Sequence, residues 1–167
     1  MRHLTKDELL ALLSVAGLQD RLMFTLAANH GLRVSETINL TMENFKDGYI
    51  TVQRLKGSLR TSQKLLPNEV ALLAEYKPSP DGRLFPFCRR TALRHIKVVG
   101  AKAGIPAHKL FNHALKHTTA MLGLKGGMNI SELQCYLGHK SGSSTMAYLK
   151  CGEDEACEAF AKAMEGK

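Results

Sequence analysis

The stretch DGYITVQRLKGSLRTSQKLLP, residues 47–67, decides the fold class. Asp47-Gly48 is a turn signal, and Tyr49, Thr51 and Gln53 then alternate with Ile50, Val52 and Arg54, the period of a half-buried strand. Lys56-Gly57-Ser58 marks a second turn, and a further short strand runs to Pro67. Everything around this stretch reads as helix. LTKDELLALLSVA opens with Thr5 and Glu8 in capping-box positions, ahead of Leu9, Leu12, Leu13 and Ala16 at helical spacing. DRLMFTLAANHG stops at Gly31, and RVSETINL restarts as a short helix with Ser35 as its expected cap. Downstream, NEVALLAEY, the basic RRTALRHIKVVGAKAG, FNHALKHTTAMLGLKGG, ISELQCYLG and a segment carrying Tyr148 are helical, as is the acidic close EDEACEAFAKAME. The expected fold is mainly α with a small antiparallel β-sheet (α+β), one domain over residues 1–167.

Composition narrows the function. No run of about 18 apolar residues occurs, so no membrane span is expected. Charges interrupt the apolar pattern of the first residues, and no small-residue cleavage site follows. Cys88, Cys135, Cys151 and Cys157 form no C-x-x-C pair, which fits a reducing cytoplasm better than a disulfide framework or a zinc site. The net charge of +8 is uneven. Through residue 150 there are 21 Lys and Arg against 10 Asp and Glu; from 151 on, 2 stand against 5. A basic body with an acidic tail suggests a polyanionic partner, nucleic acid first.

HALKH, residues 113–117, places His113, Lys116 and His117 at i, i+3 and i+4, one face of a helix. Zinc is a poor occupant. The H-E-x-x-H pattern needs Glu where Ala114 stands, and an ammonium between two ligands repels a cation. No metal or other cofactor is expected. Phosphate fits better, because other cations join in sequence order. Arg33 lies at a helix junction, Lys56 at a β-turn and His139 at a helix end, each of which read alone is a solvated surface residue. Tyr148, read alone, is a core tyrosine on an amphipathic helix. A phenol is a weak nucleophile unassisted, and a cation cluster lowers that barrier.

In that order these segments resemble the catalytic domain of the tyrosine recombinase (phage integrase) family. GLRVSETINL resembles its first arginine box and LKGSLRTSQKLLP its β-hairpin lysine segment. HALKHTTAMLGLKGGMNISELQCYLGHKSGSSTMAYL resembles its second box, with 23 residues from Lys116 to His139 and 9 from His139 to Tyr148. The resemblance runs from about Leu4 to Tyr148. It implies that Tyr148 attacks a DNA phosphate, leaving a 3′-phosphotyrosyl link and a free 5′-hydroxyl. Arg33 and Lys116 then clamp the non-bridging oxygens, Lys56 protonates the departing 5′-oxygen, His113 assists proton transfer at the tyrosine, and His139 hydrogen-bonds the phosphate. The covalent link conserves the bond energy, so neither ATP nor metal is needed. His117 takes no role by this resemblance and is read as structural.

Two departures stand out. The family's second arginine is Lys116 here, which keeps charge but loses the two-pronged geometry. The chain also starts where the catalytic domain starts, without the family's N-terminal clamp domain, so affinity for DNA is expected to be lower and strongly salt-dependent. Two functions follow. One is site-specific recombination (integration, excision or resolution of a mobile element) on double-stranded DNA in the cytoplasm of a prokaryotic or phage-infected cell, with an attenuated site. The other is a recombinase-derived DNA-binding regulator or accessory protein with weak or no catalysis. The expected partners are DNA, further copies of the chain on DNA, and a protein supplying the clamp. Residues 153–165, with Ala156, Ala159, Phe160 and Ala163 as an apolar stripe, are expected to form a helix exchanged between subunits or docked on their own body.

Overall fold

The computed structural model describes residues 3–54 and 58–140. The segments around Lys56 and Tyr148, and the C-terminal helix expected over 153–165, lie outside the described residues. Seven α-helices and one three-stranded sheet are described: α1 Lys6–Val15, α2 Leu18–His30, α3 Val34–Ile38, β1 Phe45–Lys46, β2 Tyr49–Val52, β3 Thr61–Lys64, α4 Pro67–Glu75, α5 Arg89–Lys102, α6 Ala114–Lys125 and α7 Ile130–Leu137. The architecture is the expected one, helices around a small antiparallel sheet of order β1-β2-β3.

Local chemistry sets most of the boundaries. Thr5 caps α1 by accepting from the Glu8 amide, and the Glu8 carboxylate accepts from the Thr5 amide in return. Gly31 ends α2 in the left-handed region at φ 58°. Asp47 and Gly48 both have positive φ, 52° and 77°, as a two-residue hairpin turn with the natural strand twist requires. One expected cap fails. Ser35 lies inside α3, and Arg33 is the N-cap residue. The Glu36 carboxylate, one turn in, accepts from the Arg33 amide at 2.8 Å and satisfies that end of the helix instead.

α2 is the central element. Leu22, Met23, Phe24, Leu26, Ala27 and Ala28 are all buried, so the helix is apolar around most of its girth. It packs against α1, α3, α4, α5 and α6. Ile50 and Val52 turn one face of the sheet into the same core. A buried polar network fastens the hairpin to the helices. His30 Nδ1 lies 3.0 Å from Gln63 Oε1, and its Nε2 lies 3.0 Å from Glu69 Oε1. Gln63 donates to the Tyr136 carbonyl, and the Tyr136 hydroxyl donates to the Asn29 carbonyl. α2, α4, α7 and β3 therefore meet at one set of facing polar groups, whose directional contacts fix their register more specifically than apolar contact does.

Candidate phosphate site

Three of the sequence-derived residues converge where α2 passes into α3. Arg33 sits at that junction, its side chain 19% exposed, with Nη1 2.8 Å from Glu36 Oε1. Lys116 comes from the first turns of α6 and His139 from the residue after Gly138, which ends α7. Arg33 and Lys116 both act electrostatically on His139, and Arg33 acts on Lys116. His113 is exposed one turn ahead of Lys116, as the N-cap of α6. His117 is half-buried with its ring 5.7 Å from that of Phe111. Lys56 and Tyr148 fall outside the described residues.

Lys116 is buried. Only 4% of it is exposed, and its Nζ has no hydrogen-bond partner among the described residues. α6 packs tightly on α2, and Ala114, Leu115, Thr118 and Thr119 around it are all buried. Burial, and then the charge of Arg33, lower the Lys116 ammonium to about 8, while Glu36 partly offsets them. His139, 6% exposed, is held down to about 4 by burial first and then by Lys116, Arg33 and Arg54. It is thus a neutral imidazole near pH 7, able to donate one N–H to an anion. Since the folded value lies below the ordinary 6.5, its stabilising effect is full above pH 6.5 and is lost as the pH falls through 4. A His139→Gln variant is expected to flatten the acid limb of stability over that window, measured by urea unfolding at stepped pH.

Two residues that the sequence reading passed over complete the site. Glu36, 3% exposed, is the carboxylate between the cations: besides Arg33, its Oε2 lies 3.3 Å from Arg54 Nη1. Arg54, 2% exposed, follows Ile50 and Val52 on the inward side of the strand pattern. A charged residue at the third inward position was the signal available. Among the described residues, one carboxylate stands with Arg33, Arg54 and Lys116, an excess of positive charge suited to a bound oxyanion.

The β2–β3 hairpin is seated against the His139 segment through backbone. Leu59 N donates to the Gly138 carbonyl at 2.9 Å. Gly138 has φ 66°, and a Cβ there would lie 2.9 Å from both the Leu59 carbonyl oxygen and Thr61 Cγ2. Gly138→Ala is therefore expected to cost about 2–3 kcal/mol from the left-handed backbone and the contact together. That is a thermal midpoint lower by roughly 4–12 °C in calorimetry.

Comparison with known proteins identifies the family and the fold. The phage integrase family model matches residues 2–154. The chain belongs to the phage integrase family. Tyrosine recombinase XerA of Pyrococcus furiosus is 34% identical over 182 residues, covering 97% of this chain and 62% of that protein. The chain thus spans about three fifths of the relative's length. The crystal structure of XerA recombinase superposes with a TM-score of 0.82 at 26% identity, over 96% of this chain and 64% of that one. The catalytic domain of bacteriophage HP1 integrase gives 0.69 at 22% identity, over 96% of this chain and 94% of that one. The fold is that of a tyrosine recombinase catalytic domain.

Proposed function

We propose that this domain cleaves and rejoins double-stranded DNA at specific sites through Tyr148, with the phosphate held by Arg33, Lys116 and His139. The observation that carries the reading is a charge imbalance among the described residues: two arginines and a buried ammonium with no described hydrogen-bond partner around one described carboxylate. In this reaction the Tyr148 phenol oxygen bonds to phosphorus and the bond to the 5′-oxygen breaks. His113 assists removal of the phenol proton, and Lys56 supplies one to the 5′-oxygen. Arg33, Lys116 and neutral His139 meet the charge that builds on the non-bridging oxygens. α5 adds exposed Arg89, Arg90, Arg94, Lys97 and Lys102 for the DNA backbone. Self-association on DNA, a partner supplying a clamp domain, and exchange of residues 153–165 between subunits belong to the same proposal. So does a cytoplasmic, DNA-associated location; no described helix is long and apolar enough to cross a membrane.

The test is incubation with supercoiled plasmid in EDTA, an SDS quench, and assay for protein-linked and relaxed DNA. The expected result is an adduct that Tyr148→Phe abolishes while DNA binding stays nearly intact. An adduct that survives Tyr148→Phe overturns the assignment of the nucleophile. DNA binding without an adduct, in the wild type and in Lys116→Arg alike, favours the regulator reading.

A further inference from the structure

We propose that Arg54 is the positioning residue of this site, holding the α2–α3 junction, the β2–β3 hairpin and the end of α7 in a common register. A guanidinium carries five N–H donors in a rigid plane. Here each of the five directions has an acceptor. Nε donates to Thr61 Oγ1 at 2.9 Å on β3. Nη1 donates to the Gly31 carbonyl at 3.0 Å and faces Glu36 Oε2 at 3.3 Å. Nη2 donates to the His30 carbonyl at 2.8 Å and reaches the Tyr136 carbonyl at 3.5 Å. The acceptors belong to the end of α2, to α3, to β3 and to α7. Arg33 is two residues from Gly31, Lys56 two residues from Arg54 itself, and His139 three residues from Tyr136.

The consequence is geometric. Arg33 and His139 ride on segments far apart in the chain, and one side chain ties those segments together. The carbonyls of His30 and Gly31 are among the last of α2, which a helix leaves without intrahelical partners, so the guanidinium also completes that helix end. A lysine at position 54 keeps the charge but cannot span five acceptors. Gly138 closes the same joint from the other side, since a Cβ there would lie 3.1 Å from Arg54 Cγ.

The part of this inference that concerns register stands on geometry alone; its effect on phosphate handling rests on the function proposed above. Hydrogen exchange tests the register in the free protein. Arg54→Lys is expected to speed exchange about tenfold in residues 58–66, 30–37 and 134–140 together, with α1 unchanged. Faster exchange in 58–66 alone, or no change, overturns the inference. Should Arg54→Lys fail to fold, Thr61→Val removes one acceptor and is expected to produce a smaller change in the same three segments; a change confined to β3 overturns it.

Sulfate binding, followed by NMR from pH 6 to 10, reads the site itself. Among the described residues, the charged groups acting on Lys116 are Arg33, Glu36 and Arg54, and Lys116 in turn acts on His139 and His117. Arg54→Lys is expected to bind sulfate at least about tenfold more weakly in its folded molecules, with the wild-type pH midpoint, because charge is kept and alignment is lost. Wild-type affinity in the variant counts against positioning. Failure of the wild type to bind sulfate refutes the phosphate reading, and the exchange result still decides Arg54.

Discussion

Lys116→Arg is expected to form the covalent DNA adduct about 10²–10³-fold faster than the wild type near pH 7, the size of one well-placed transition-state hydrogen bond. Near pH 7 the difference is geometric. The Lys116 ammonium, lowered to about 8, is still mostly charged there, but it presents a point charge where a guanidinium presents a planar pair of donors. Above pH 8 the gap widens, because lysine loses its proton and arginine does not. Stability moves the opposite way. The folded value lies below the ordinary 10.5, so folding disfavours the charged form, and wild-type stability rises as the pH climbs from about 8 to 10.5. That shift corresponds to about 3 kcal/mol, undiminished by solvent because Lys116 is buried. Adduct yield falling while urea midpoints rise across that window, with Lys116→Arg flat in both, is the expected pattern. Parallel curves for the two proteins would remove Lys116 from the chemistry.

What the sequence made legible was local. The Thr5–Glu8 box, the Asp47-Gly48 turn and the glycine stop at residue 31 each depend on neighbours within a few positions, and each lies where expected. The inward set Ile50, Val52 and Arg54 was also readable, because a strand alternates regardless of what it packs against. What stayed hidden depended on contacts between segments. Ser35 is a good cap by type, but Glu36 is fixed by Arg33 and Arg54 and takes that role. β1 has two residues, too few to show a pattern, and exists because it pairs with β2. Lys116 shares a helical period with His113 and His117, which placed the three on one face; that Lys116 is buried while His113 is exposed follows from the packing of α6 on α2. The family resemblance named candidate site residues in order without pointing to the carboxylate of Glu36 beside Arg33 or the guanidinium of Arg54.

Those two groups set up the second large effect. Glu36→Gln is expected to destabilise the domain by about 3–5 kcal/mol, the usual consequence of removing one partner from a buried ion pair. In a chain of this size that is a fall of roughly 6–20 °C in thermal midpoint. The amide can still accept from the Arg33 backbone, so lost shape is a small part of the effect. Charge is the larger part: Arg33, Arg54 and Lys116 would lose the one carboxylate that the described residues place among them. Glu36 also supports the protonated form of Lys116, so its removal pushes that ammonium further down and brings it closer to neutral at pH 7. An external anion can replace what the mutation removes. Sulfate in the tens of millimolar is therefore expected to raise the midpoint of Glu36→Gln more than that of the wild type, by mass action on an anion-depleted site. Sodium chloride at matched ionic strength should do less, because a monovalent ion offers no tetrahedral set of oxygens to the phosphate site proposed above. Equal responses of both proteins to both salts would mean that screening acts here and that the cluster does not hold a tetrahedral oxyanion.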